Sequence, residues 1–133
     1  MGDINWLAVA LASIAGFLVG WLWYGPLFGA SWRRETGHDE NTTGRPGVAL
    51  VMGLTFLFGL MAAFMMGHMF ARAGTTQTHI FLMMSSGLAA FFVIPALWTS
   101  YLYQGKSLKL ALIDGGYWLA FYLTMGGVFA LLG

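Results

Sequence analysis

The chain has 133 residues, of which 59% are hydrophobic and only 8% charged, with a formal net charge of +1. Soluble domains are about a quarter charged, so this composition excludes a water-soluble globular domain. The near-neutral balance carries no nucleic-acid signature. The absence of cysteine excludes disulfides, thiolate metal sites and redox-active thiols.

Four apolar runs, residues 4–24, 48–71, 80–103 and 110–132, hold most of the chain. A helix needs about 20 apolar residues to cross a bilayer core, and each run is that long. Alternating segments of the membrane β-barrel kind are absent. The predicted fold is an all-α integral membrane protein, a compact antiparallel four-helix transmembrane bundle, as a single domain over residues 1–133. Short connections favour antiparallel neighbours, and the longest polar stretch, residues 33–46, leaves no room for a soluble domain. No Lys or Arg precedes the first run and Asp3 does, which argues against a cleavable signal peptide.

Within the first run Ala8, Ala12, Gly16 and Gly20 recur every fourth residue. The second run carries Thr55, Gly59, Ala63 and Gly67, and the fourth Gly116, Ala120 and Thr124. Small residues at this spacing let helix backbones approach closely in lipid. Packing within the chain uses some of these stripes; their number predicts a homo-oligomer, with a dimer seamed by the first helix favoured.

The first run ends in Trp21-Leu22-Trp23-Tyr24-Gly25-Pro26-Leu27-Phe28-Gly29. Trp and Tyr favour the headgroup level, so this segment reads as an interfacial anchor. Pro26 disfavours helical geometry at Gly25 and is expected to stop the span there. Leu27, Phe28 and Trp32 beside Arg33 and Arg34 predict a short helix lying on the inner leaflet.

Asn5-Trp6, then the Trp23–Gly29 segment, then Trp32 together resemble the start of a family of small bacterial membrane proteins catalogued as domain of unknown function 1761. The resemblance implies a four-helix protein of the bacterial inner (cytoplasmic) membrane. It implies no activity and assigns no functional residues.

Basic residues set the expected orientation. Arg33, Arg34 and Arg45 lie in the first loop and Lys106 and Lys109 around the third, whereas the second has only Arg72. The positive-inside rule puts loops one and three in the cytoplasm and both termini on the extracytoplasmic side. The same bias argues against a dual-topology dimer. His38, Asp39 and Glu40 read as solvated loop residues.

At the outer end, His68 and His79 come near Asp3, Asn5 and Arg72 under this topology. Two imidazoles and a carboxylate can ligate zinc, copper or haem iron. Their spacing matches no metal motif, so an ordinary interfacial role is expected, with no metal and no cofactor. The nine methionines read as adaptable filler.

The fourth run holds an ionisable residue, Asp114, well inside its apolar sequence. Such a group costs ~2.5–3.5 kcal/mol on insertion scales, and is usually paired, turned inward or functional. It lies five residues past Lys109, about 7 Å further along the helix axis. Trp98, Thr99 and Trp21 fall at neighbouring depths, and Tyr117 and Trp118 share its helix face at i+3 and i+4. These residues predict a polar, aromatic-lined pocket with Asp114 as its floor. Pro95 can kink the third helix beside it.

Two functions fit. An ionised Asp114 suits a channel or transporter for a small solute or ion. Alternatively, Asp114 is a structural clamp to Thr99, Tyr101 or Trp21 in a non-catalytic interaction or lipid-binding scaffold. Membrane lipid is a partner in either case. The sequence holds no Gly-rich phosphate loop, no paired carboxylates within a span and no triad, so it is not expected to be an enzyme.

Overall fold

The computed structural model describes residues 4–37, 47–74 and 76–132, and these are helical apart from short connections. Helix α1 (Trp6–Leu22) runs into a π-helical turn (Trp23–Leu27) and then α2 (Gly29–Thr36). Helix α3 (Val48–Ala73) follows. Helix α4 (Thr78–Leu88) continues through a second π-helical turn (Ala89–Val93) into α5 (Ile94–Gln104), and α6 (Leu108–Leu132) closes the chain. Four helical stretches are long and apolar enough to cross a membrane: Trp6–Leu27, Ala49–Ala73, Thr78–Gln104 and Leu108–Leu132. This is the architecture of a multi-pass membrane protein.

Local chemistry sets the helix ends. Asn5 caps α1 by accepting from the Ala8 N–H at 3.0 Å, and its Nδ2 donates to the Leu132 carbonyl at 2.9 Å. One side chain thus satisfies an orphan group at the start of α1 and another at the end of α6. Gly37, Gly74 and Gly105 take the left-handed conformation after α2, α3 and α5, the usual glycine stop.

The two π turns sit where proline disturbs a helix. Pro26 has no N–H, and its ring crowds the carbonyl four residues back. The chain answers by widening one turn, so that the Phe28 N–H bonds the Trp23 carbonyl at 2.8 Å. The expected stop at Gly25 is therefore corrected: the first span continues through Pro26 to Leu27. In the third span the Ile94 N–H reaches back to the Ala89 carbonyl, which takes up the defect just before Pro95.

Helix α6 is the centre of the molecule. It packs against α1, α4 and α5, while α3 packs chiefly against α1. Sequence neighbours are thus not always the principal contacts; the first and last spans form the main pair. The core runs along this seam through Val9, Met66, Phe81, Phe121, Met125 and Phe129. Phe70 stacks near Phe81 and Phe129, with centroids 4.7 and 5.1 Å apart, and joins α3, α4 and α6 at one end.

Much of the small-residue pattern is packed within the chain. Ala8, Ala12 and Ala63 are fully buried. A Cβ on Gly16 would come within 2.6 Å of the Phe121 ring, one on Gly20 within 3.2 Å of the Tyr117 hydroxyl, and one on Gly67 within 2.8 Å of Val9. Gly59 faces Phe121 as well. Within the chain, Phe121 and Tyr117 of α6 pack against the α1 stripe. The buried hydroxyls of Ser13 and Ser85 bond the carbonyls one turn back, Val9 and Phe81, and leave no open donor there.

Candidate functional site

The first π turn decides what α1 presents to α6. Its wider turn brings the consecutive residues Trp23 and Tyr24 onto the α6 side. The Trp23 indole N–H donates to the Ile113 carbonyl at 2.9 Å, and the Tyr24 hydroxyl donates to Oδ1 of Asp114 at 2.5 Å. Tyr24 is therefore a partner of the intramembrane carboxylate. Its aromatic neighbours suggested a headgroup anchor, which hid this role.

Helix α5 approaches with a matching pair. The Trp98 indole N–H donates to the Ala111 carbonyl at 2.8 Å, and the Tyr101 hydroxyl donates to Oδ2 of Asp114. Trp98 and Tyr101 are three residues apart on a regular helix, so they share a face. Each arm thus gives one indole to the α6 backbone and one phenol to the same carboxylate. A backbone carbonyl has two lone pairs, so Ala111 and Ile113 can accept an indole while keeping their helical bonds.

Gly115 and Gly116 make room for both indoles. A Cβ on Gly115 would stand 3.0 Å from the Trp98 ring, and one on Gly116 2.9 Å from the Trp23 ring. The doublet beside Asp114 is thus a close-packing point, with one glycine for each arm.

Asp114 is 7% exposed. Its side-chain hydrogen-bond partners are the two phenols, and among the described residues no Lys, Arg or His pairs with it. Around it are Tyr117, whose ring centroid lies 5.0 Å from that of Tyr24, and Trp118, 4.8 Å from Tyr117. Tyr117 is buried, and its hydroxyl has no hydrogen-bond partner among the described residues.

The residues expected to line one pocket are placed differently. Asp114, Tyr117, Trp118 and Trp98 gather in or beside the cluster. Trp21 is 62% exposed, away from the carboxylate it was expected to approach. Thr99 donates to the Pro95 carbonyl at 2.7 Å on its own helix. Of the three clamp partners considered, Tyr101 makes the bond. The Tyr24 bond lay outside that set, because its register depends on the π turn.

His68 and His79 do not form a cluster of this kind. His68 bonds the Phe64 carbonyl at 2.8 Å through Nδ1 and lies against the rings of Trp6 and Phe64, while His79 is exposed. Among the described residues no three His, Asp or Glu side chains gather as metal ligands. Asp3, His38, Asp39, Glu40 and Arg45 lie outside the described residues.

The short helix after the first span is present as α2. It is docked by ring contacts from Trp23 to Phe28 at 4.6 Å and from Tyr24 to Trp32 at 6.0 Å. The Trp23–Trp32 segment thus carries an arm to Asp114 and holds α2 beside it.

No curated protein and no solved structure matches the chain. The family model described as "Protein of unknown function (DUF1761)" matches residues 7–130, nearly the whole four-span unit, and the chain belongs to that family.

Proposed function

We propose that this is a non-catalytic inner-membrane transport protein of bacteria, moving a small solute or ion with Asp114 as its binding carboxylate. The observation that carries this reading is a buried carboxylate at the junction of three spans with no cationic side chain pairing with it among the described residues. Intramembrane carboxylates are expensive and commonly mark ion or substrate pathways. Two of the three spans that meet there have π turns next to a proline, and π turns recur at functional sites. The placement of Arg33, Arg34, Lys106 and Lys109 supports an orientation with α2 and the α5–α6 turn in the cytoplasm and both termini outside. The test is uptake into proteoliposomes: flux carried by the native chain and lost in Asp114→Asn, with the variant still folded, is the expected result.

A second reading rests on a different observation. Both oxygens of Asp114 already accept a phenol from the chain itself, as they would in a latch within an interaction or lipid-binding scaffold. That reading expects Asp114→Asn to lower thermal stability without altering any flux.

A further inference from the structure

The chemistry around Asp114 limits what it can receive. The donors next to the carboxylate are spent: Trp23 and Trp98 on α6 carbonyls, Tyr24 and Tyr101 on the carboxylate. A sugar or an anion finds few hydrogen-bond donors here, and an anion meets an acidic group. A small inorganic cation needs a shell of oxygens, yet the carbonyls of Ala111 and Ile113 already accept indoles. What remains on offer is one carboxylate and the partly exposed rings of Trp98, Tyr101 and Trp118, since the Trp23 ring packs against Phe28 and the Tyr24 ring against Trp32 and Tyr117. Aromatic rings attract cations through their quadrupole, and rings arranged around one point are how quaternary ammonium groups are recognised.

A second observation points to the same place. The Tyr117 hydroxyl is buried beside Gly20 and lacks a protein partner among the described residues, and an unpaired buried hydroxyl is costly for a chain to keep. Access is also built in. Helix α5 has no buried residue, and Trp98 is 38% exposed, whereas the Tyr24 arm is held between α6 and the docked α2. The α5 arm is the side that can lean outward.

From these features we infer that the Asp114 site binds a lipophilic organic cation, quaternary ammonium or phosphonium in character, seated on the aromatic faces with Asp114 as its counter-ion. This rests on the transport reading and names its substrate class. Entry is from the α5 side, where Trp98 and Tyr101 part from α6.

The experiment is equilibrium dialysis of labelled tetraphenylphosphonium against the full chain in mild detergent, alongside a proteoliposome assay for proton, sodium and potassium flux. The expected result is saturable binding that Asp114→Asn abolishes. Trp98→Leu weakens it about thirtyfold, the size of a desolvated cation–π contact, and Tyr103→Leu, at a 90% exposed position on the same helix, leaves it unchanged. Circular dichroism and monodispersity establish that each variant is folded; should Asp114→Asn not fold, Trp98→Leu decides alone. Binding that is absent from the native chain, or undiminished in the folded variants, overturns the inference. Asp114-dependent flux of an inorganic ion without tetraphenylphosphonium binding overturns it too, while leaving the transport reading standing. Absence of both overturns the two together.

Discussion

Tyr24 and Tyr101 donate to opposite oxygens of one carboxylate, Asp114, the first from the π turn that ends α1 and the second from α5. The fourth span is thereby tied to the first and third at a single polar point in an apolar interior. A hydrogen bond to a charged or strongly polar acceptor contributes about 1–3 kcal/mol. Tyr24→Phe and Tyr101→Phe are each expected to lower stability by about that much, read as a shift in thermal unfolding in detergent. Because the two share an acceptor, the double variant should depart from additivity by about 0.5 kcal/mol or more. Strict additivity would mean that the two bonds act independently.

Gly115 and Gly116 offer a direct check on the indole arms. A methyl at Gly116 would meet the Trp23 ring at 2.9 Å, whereas Gly127 on the same helix has nothing within 4 Å. Gly116→Ala should therefore destabilise by about 1–3 kcal/mol through overpacking. Gly127→Ala should be neutral or stabilising by up to about 1 kcal/mol, since alanine is the better helix former. Thermal unfolding of the two variants side by side reads the difference.

The contact between Gly16 and Phe121 decides what the small-residue stripe of α1 is for. Gly16→Ala brings a methyl within 2.6 Å of the Phe121 ring, so it should destabilise the single chain by about 1–3 kcal/mol. Phe121→Leu in the same chain should restore part of that loss. A stripe serving an interface between copies would show the opposite: a change in oligomeric state on native mass spectrometry, and no rescue by Phe121→Leu.

Orientation can be read by thiol labelling, because the chain has no cysteine of its own. Thr76 and Gln104 are exposed at opposite ends of the third span. With termini outside, Thr76→Cys should react with an impermeant reagent added to intact cells, and Gln104→Cys only after lysis. The reverse pattern would invert the topology.

Much of this molecule was legible in the residues. Four apolar runs of bilayer length gave four helices, and the depth of Asp114 in the last one marked it as the residue to watch. Tyr101 was within reach of the argument, since it lies about one helical turn from Trp98 at a matching depth. Tyr24 was not, for a physical reason. Its neighbours Trp21, Trp23 and Pro26 suit a headgroup belt and a helix stop, and only the π turn, which keeps the helix going past Pro26, turns Tyr24 toward α6. Trp21 failed in the complementary way. It shares the depth of the site, but its position on the helix directs it outward, and depth alone does not set azimuth. The α1 stripe was visible as a packing surface, yet whether Phe121 or a second chain filled it depended on the large residues of α6, which a stripe of small ones does not specify.

The most direct measurement is solute and ion uptake by proteoliposomes containing the native chain or Asp114→Asn, each first shown to be folded and monodisperse. A functional carboxylate predicts flux in the native chain and its loss in the variant, with at most a modest drop in thermal stability. Equal flux in both, or none in either alongside a large loss of stability in the variant, would contradict it and leave Asp114 as the latch that holds α1, α5 and α6 together.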